Sequence, residues 1–284
     1  MNTKYYILYN PYAGNGTSEA TAMKLQKSGK YEPSEIVAMT DIASYSDFFS
    51  GKEDAKVIIC GGDGTLNRFI NDTCGVCLGD VYYMASGSGN DFLRDLDVTE
   101  QTEPICINKY IESVPICEVN GKKYKVLNGV GFGIDGYCCQ VGDEMKANNI
   151  DDINYAGIAI KGLFGKYKPC GGSITVDGET HRYKKIWIAS GMNGRFYGGG
   201  MMPCPDQNRL NGKGIVSCCA WHDSGKLHTL MMFPSLFKGQ HVKHKKNVDV
   251  RSGKKITVEY DSPRPLQIDG ETIIGVTKYS IYYR

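Results

Sequence analysis

Val57-Ile58-Ile59-Cys60-Gly61-Gly62-Asp63-Gly64-Thr65-Leu66-Asn67 decides the reading of this chain. A short β-branched run that stops at glycines reads as a buried strand, and a helix-compatible stretch follows from Leu66 to Asn71. A glycine loop at the carboxyl end of a strand is where open α/β sheets bind ligands. Glycines let backbone N–H groups approach phosphate oxygens closely, and successive N–H groups form an anion-binding nest. Asp63 is out of place beside phosphates unless it holds Mg²⁺ or takes a proton from an attacking hydroxyl. The alternative is an ordinary Gly-Asp-Gly turn that caps a helix.

The same pattern occurs on either side of this stretch. Tyr6-Ile7-Leu8-Tyr9 runs into Asn10-Pro11-Tyr12-Ala13-Gly14-Asn15-Gly16-Thr17, and Ser18 to Lys27 then reads as a helix. Val81-Tyr82-Tyr83-Met84-Ala85 runs into Ser86-Gly87-Ser88-Gly89-Asn90-Asp91-Phe92. Each loop alone is weak evidence, because Gly and Ser simply make turns. The first is not a Walker A loop, since no Gly-Lys-Ser/Thr ends it. Three strand-to-glycine junctions in a βαβ rhythm together point to one nucleotide cleft.

On these residues the chain resembles the diacylglycerol kinase catalytic-domain family, bacterial lipid kinases related to ceramide and sphingosine kinases. The family's Asn-Pro-x-x-Gly stands at Asn10 to Gly14, and its GGDGTLN is complete from Gly61 to Asn67. Its Gly-Thr-x-Asn-Asp-Phe stands at Gly87 to Phe92 with Ser88 for Thr. Its Gly-x-His-x-x-His is Gly239 to His244, and its Asp-Gly-Glu is Asp269-Gly270-Glu271. NAD kinases and phosphofructokinases share the GGDG element alone.

The resemblance implies an ATP site lined by Asn10, Pro11, Gly14, Thr40, Gly61, Gly62, Asp63, Gly64, Thr65, Asn67, Ser88 and Asn90. Thr40 is included only for its place after the strand Glu35–Met39. Asp63, Asp269 and Glu271 are the implied catalytic carboxylates, and Asp63 is also the implied ligand of Mg²⁺ arriving with ATP. Asp269-Gly270 read alone is a hairpin turn. Asp91 reads as a helix cap, with metal binding as the alternative. His241 and His244 read as structural hydrogen-bonding residues, with metal ligation as the alternative. The implied architecture is an α/β fold: an N-terminal doubly wound parallel-sheet nucleotide domain over 1–113, and a β-sandwich-rich α+β domain over 114–284 that receives the lipid. The cleft would lie between them, and the last strand, about 278–284, is allowed to return to the first domain.

Two departures from the family pattern stand out. Arg68 follows GGDGTLN where a Glu is common. The Pro-x-Ala-x-x-Asp-Asp-Gly segment that binds a structural Mg²⁺ in many bacterial members reads Pro205-Asp206-Gln207-Asn208-Arg209-Leu210-Asn211-Gly212. Leu210 and Asn211 replace the two aspartates, and Mg²⁺ wants anionic oxygens, so this metal site is expected to be absent.

A chain of 284 residues, 41% hydrophobic and 23% charged, suits one large or two ordinary globular domains. No apolar run approaches the roughly 18 residues of a membrane span, and no signal peptide is evident. Eleven cysteines without a disulfide spacing suit a reducing compartment. Cys74-Gly75-Val76-Cys77 is a lone CxxC, read as thiols rather than zinc ligands. Strands and helices alternate to about Ile111, and after Val114 the pattern turns strand-rich: Ile116–Val119, Tyr124–Leu127, Ser173–Val176, Ile186–Ala189, Ile215–Cys219 and Lys255–Tyr260. Asn120-Gly121 and Asp177-Gly178 are hairpin signals, and helices are expected over Ile153–Phe164 and Leu227–Phe237, with Pro234 kinking or ending the second.

Charge is asymmetric. Up to Pro115 there are 9 Lys and Arg against 16 Asp and Glu; from Ile116 onward there are 24 against 15. The second module is therefore expected to face something anionic. Lys238, Lys243, Lys245 and Lys246 are the candidate contacts with an anionic membrane surface, the alternative being a solvated face; Met231, Met232, Phe233, Leu236 and Phe237 read as helix core, with an apolar insertion edge as the alternative. No nucleic-acid module accompanies this charge, so no nucleic-acid partner is expected. The expected location is cytoplasmic, at the inner face of the membrane; the oligomeric state is left open, a homodimer included. Three functions compete: an ATP- and Mg²⁺-dependent kinase of a lipid alcohol, most simply diacylglycerol; a soluble-substrate kinase of the NAD-kinase type; and a non-catalytic lipid- or nucleotide-binding homologue.

Overall fold

Two compact units, Met1–Ser113 and Val114–Arg284, divide the chain. The computed structural model describes residues 4–13, 16–76, 78–87, 89–148, 150 and 153–284.

In the first unit the elements run β1 (Tyr5–Tyr9), α1 (Thr17–Lys27), β2 (Ser34–Ala38), α2 (Tyr45–Phe48), β3 (Lys56–Gly61), α3 (Asp63–Asp72), β4 (Val81–Ala85), α4 (Asp91–Asp95), β5 (Ile105–Cys106) and α5 (Asn108–Ile111). The sheet order is β2-β1-β3-β4-β5. The first four strands are parallel, and the two-residue β5 closes the edge antiparallel to β4. β3 is sandwiched between β1 and β4, so Val57, Ile58, Ile59 and Cys60 are all buried; this is why the run is continuously apolar rather than alternating. Leu66, Phe69 and Ile70 repeat at helical spacing and are buried, which seats α3 on the sheet. Strand order reverses between β1 and β3, so their carboxyl-end loops diverge at a switch point, the usual ligand crevice of such sheets.

The second unit runs β6 (Ile116–Val119), β7 (Lys122–Lys125), β8 (Gly129–Gly133), α6 (Ile134–Ala147), α7 (Tyr155–Lys161), β9 (Cys170–Val176), β10 (Glu179–Met192), β11 (Val216–His222), α8 (Lys226–Met232), β12 (Val248–Gly253), β13 (Lys255–Ile268) and β14 (Glu271–Tyr282). Its strands follow β12-β11-β10-β8-β13-β14-β6-β7, with β9 pairing both β10 and β13. β10 and β13 are 14 residues each and change partner along their length. Their first halves pair β9 and their second halves pair β8, with register breaks at Ile186/Ile188 and Glu259/Arg264. Bulges bend strands in this way, and two bent strands carry the sheet round a core that includes Val130, Phe132, Tyr260, Leu266 and Tyr279.

Asn120-Gly121, Asp177-Gly178 and Asp269-Gly270 all have positive φ at both residues, the two-residue hairpin geometry that Asn-Gly and Asp-Gly favour.

Several expectations change. The resemblance allows 278–284 to return to the first sheet; instead Tyr279–Tyr282 pair with Ile116–Val119 on one side and β13 on the other. The helix expected over 153–164 is α7 followed by a π turn, Gly162–Lys166. The helix expected over 227–237 stops at Met232, and a 3₁₀ segment containing Pro234 runs from Phe233 to Lys238. Met232, Phe233 and Leu236 are core residues and cannot form an insertion edge. Among the described residues no helix is long and apolar enough to cross a membrane.

Candidate active site

The three glycine loops of the first unit are tied to one another. Asn10 opens a turn in which Ala13 N–H donates to the Asn10 carbonyl and Tyr12 N–H donates to Asn10 Oδ1, both at 3.0 Å; Pro11 sits where its fixed φ suits that turn. Asn10 Nδ2 donates to Thr65 Oγ1 at 3.0 Å, joining the first loop to the second. Ser86 N–H donates to the Gly61 carbonyl at 2.9 Å, joining the third. Ser18 and Ser86 share a hydroxyl bond at 2.7 Å, and Thr17 Oγ1 donates to the Ser86 carbonyl at 2.8 Å.

The glycines are needed for these approaches. A Cβ on Gly61 would lie 2.5 Å from Thr65 Cγ2, and one on Gly87 would lie 3.0 Å from the Gly62 Cα. A Cβ on Gly62 meets nothing nearer than Gly87 Cα at 3.7 Å, and one on Gly64 meets nothing within 4 Å, so these two positions leave room above the loop. The N-terminus of α3 has no side-chain cap.

Asp63 is committed to structure. Its Oδ2 accepts the Asp91 N–H at 2.7 Å and its Oδ1 accepts the Phe92 N–H at 3.1 Å. It therefore caps α4 from another loop, a role ordinarily filled by the residue before the helix. That residue, Asn90, is left-handed with φ 46°, and its buried Oδ1 has no hydrogen-bond partner among the described residues. Asp91, expected as a cap, instead pairs through Oδ1 with Arg94 at 3.0 Å. Asn67 is buried, and its Oδ1 accepts from Asn71 Nδ2 at 3.2 Å within α3. Thr40 lies in an exposed 3₁₀ turn with its hydroxyl 3.4 Å from Asp41 Oδ1. Arg68 is exposed and 3.9 Å from Asp72 on the same helix, a pair of little energetic weight. Gly14 and Ser88 lie outside the described residues.

In the second unit Asp269 is the first residue of the β13–β14 turn. Its carboxylate accepts three backbone N–H groups: Leu127 at 2.7 Å, Asn128 at 2.8 Å and Gly129 at 3.0 Å. The Asp269 N–H donates back to the Gly129 carbonyl at 3.0 Å. Nothing in the sequence marks 127–129 as this nest beyond the glycine at its end. Glu271, paired in register with Ile268, is exposed. Among the described residues its carboxylate accepts no hydrogen bond and forms no ion pair.

The other candidates are structural. His241 is fully buried, its Nε2 3.0 Å from the Pro203 carbonyl, and burial holds its imidazole below the usual histidine range. His244 packs edge-on to His228. In the segment from Asp206 to Gly212, Asn211 Nδ2 donates to the carbonyls of Asn208 and Ile215, and its Oδ1 accepts from Lys213 and Ile215. Arg209 is buried and donates to the Leu127 carbonyl and to Asn128 Oδ1. Neutral amides and a guanidinium therefore close this loop. Cys74 is an exposed free thiol; Cys77 lies outside the described residues. Among the described residues no group of three His, Cys, Asp or Glu is placed to hold a metal ion.

Two family models match the chain: the diacylglycerol kinase catalytic domain over residues 4–119, and the YegS C-terminal NAD kinase beta sandwich-like domain over 128–279. The chain is 23% identical over 240 residues to "Putative lipid kinase YtlR" of Bacillus subtilis, covering 80% of this chain and 76% of that protein. It is 21% identical to "Diacylglycerol kinase" of Mycobacterium tuberculosis, covering 84% and 80%. In fold it is similar to the crystal structure of "a putative diacylglycerol kinase" from Bacillus anthracis, with a TM-score of 0.72 at 19% identity, covering 99% of this chain and 92% of that one.

Proposed function

Because this chain belongs to the diacylglycerol kinase catalytic-domain family and carries the YegS-type C-terminal domain, we propose that it transfers the terminal phosphoryl group of ATP to the hydroxyl of a long-chain lipid alcohol, most simply diacylglycerol to give phosphatidic acid. The observation that carries the nucleotide half is the uncapped start of α3 beneath an open glycine loop. The first N–H groups of a helix have no intrahelical acceptor, and the helix dipole favours an anion there. Gly62 and Gly64 leave that space free, Asn10 and Thr65 hold the neighbouring loop against it, and the unpartnered Asn90 Oδ1 offers an acceptor.

Mg²⁺ bound with ATP would spread the charge of the phosphates. Asp63, the acidic residue of the Gly61–Asn67 loop, is the carboxylate that would hold it, with the remaining oxygens coming from phosphate and water.

Of the three candidate carboxylates, Glu271 suits a general base best. Asp63 and Asp269 hold backbone in place, whereas Glu271 is exposed and has no partner among the described residues. The acceptor hydroxyl loses its proton to Glu271 as its oxygen bonds to the γ-phosphorus, and ADP leaves. Asp269 then acts by fixing the turn that presents Glu271.

Radiolabelled ATP offered with diacylglycerol, a sphingoid base, phosphatidylglycerol, a polyprenol and NAD tests the proposal. Labelled lipid, lost in Glu271→Gln, is the expected result. Label in NAD alone would assign a soluble substrate, and label in none would leave a binding protein.

A further inference from the structure

The second unit carries a basic depression that phosphoryl transfer does not use. It encloses about 590 Å³ and is lined by Lys243, His244, Lys245, Lys246 and His228, with Asp223 as its single acid. Asp223 is already engaged: Oδ1 accepts the N–H groups of Lys184 and Lys185 at 3.1 and 2.9 Å, and Oδ2 faces His222 Nδ1 at 3.2 Å. The three lysines are exposed and form no ion pair among the described residues. The floor is rigid. Ser224 is buried, its carbonyl accepts from Trp187 Nε1 at 3.0 Å, and its hydroxyl bonds to Thr229 at 2.6 Å and Trp221 Nε1 at 3.2 Å.

Beside this depression lies an apolar knob. Leu227 and Met231 are 68% and 66% exposed, and their spacing of four sets them on one face of α8. Phe164 is 67% exposed on the π turn, and that turn is tied to α8 where Lys226 Nζ donates to the Gly165 carbonyl at 3.4 Å. His228 connects the two features: it follows Leu227 in sequence and lines the depression.

We propose that this face docks on an anionic bilayer, with the depression receiving a phosphate-bearing lipid headgroup and Phe164, Leu227 and Met231 entering the interfacial layer. Unpaired lysines are complementary to an anionic leaflet, and exposed apolar side chains beside them match the layered polarity of headgroup and acyl boundary. A free phosphate would use the lysines but leave the apolar knob unexplained. The inference deepens the lipid-kinase reading, yet its test needs no nucleotide.

The full chain is sedimented with phosphatidylcholine vesicles, with and without phosphatidylglycerol, at low and high salt. Binding is expected only with phosphatidylglycerol, weakening as salt rises. Lys243→Glu/Lys245→Glu/Lys246→Glu is expected to lose at least about tenfold in partitioning, and Leu227→Ser/Met231→Ser severalfold, with melting curves unchanged because every altered side chain is exposed. Equal binding by wild type and the lysine variant, or binding indifferent to salt, overturns the proposal. Saturation of the His228 and His244 ring resonances by inorganic phosphate at constant ionic strength, without vesicle binding, would make the depression a free-anion site and also overturns it. Phosphorylation of a detergent-dispersed lipid alcohol should be alike in wild type and the lysine variant. If both lack it while vesicle binding follows the expected pattern, the kinase reading fails and the docking surface stands.

Discussion

Asp63 Oδ2 accepts the backbone N–H of Asp91 at 2.7 Å, so the acidic residue of the GGDG loop is also the cap of the helix that follows the third glycine loop. On the function proposed above, one carboxylate would serve both folding and phosphoryl transfer. Asp63→Ala removes both N–H acceptors at the start of α4 and is expected to cost about 1–2 kcal/mol of stability. Activity should fall by about 10²-fold or more. Urea unfolding beside a kinase assay checks both, and unchanged stability would mean that α4 is capped by something else.

Glu271 should behave in the opposite way. Its carboxylate is exposed and without a partner among the described residues, so Glu271→Gln is expected to leave the melting temperature unchanged. Turnover should fall about 10²-fold, whereas Asp269→Ala, which leaves three backbone N–H groups without their acceptor, should lose about 2 kcal/mol of stability as well. Near-wild-type turnover of Glu271→Gln would remove it from the chemistry.

Gly87 should tolerate a methyl group less well than Gly62. The added Cβ would stand 3.0 Å from Gly62 Cα in the first case and 3.7 Å from Gly87 Cα in the second. Gly87→Ala is expected to push the facing loops apart and weaken ATP binding without abolishing the fold, while Gly62→Ala packs without strain and Gly62→Asp repels phosphate by charge. Calorimetric ATP titration of the three variants checks the order.

Stability should depend on pH through Asp135. Burial pushes its carboxyl from 3.8 up to about 7, opposed by the Tyr197 hydroxyl that donates to it. The folded state therefore holds a proton that the unfolded chain has lost. This contribution is fully present below the unfolded value and is lost as pH rises through about 7. The urea midpoint should be higher at about pH 5 than at about pH 8, and Asp135→Asn should flatten the difference.

The 205–212 loop should hold without a divalent ion. EDTA is expected to leave the melting temperature unchanged, while Asn211→Ala, which deletes four side-chain hydrogen bonds, should lower it by several degrees. A melting temperature that drops with EDTA would reveal an ion.

Much of the first unit was legible in the sequence because its signals are local. A β-branched run ending at glycine is a buried strand whatever surrounds it, and three such junctions define the crevice. Hairpin turns at Asn120, Asp177 and Asp269 were legible for the same reason, since the dipeptides themselves prefer positive φ. What the glycines near 130 do was not. Gly129, Gly131 and Gly133 lie in β8 and Gly136 and Gly142 in α6, an element that helix propensity disfavours. A Cβ on Gly136 would sit 1.9 Å from the Pro265 carbonyl oxygen, and one on Gly133 2.3 Å from that of Trp187. Here tertiary packing selects glycine and overrides propensity.

The candidate carboxylates divide along the same line. The resemblance to the family marked Asp63, Asp269 and Glu271 as candidate carboxylates, because the motifs that carry them, Gly61 to Asn67 and Asp269 to Glu271, are written in the sequence itself. Only the tertiary structure decided that two of them are hydrogen-bonded to backbone while the third, among the described residues, is not. The N–H donors come from Asp91 and Phe92 in one case and from Leu127, Asn128 and Gly129 in the other. Those donors are remote in the chain, and a backbone amide carries no side-chain signature by which the sequence could announce its partner.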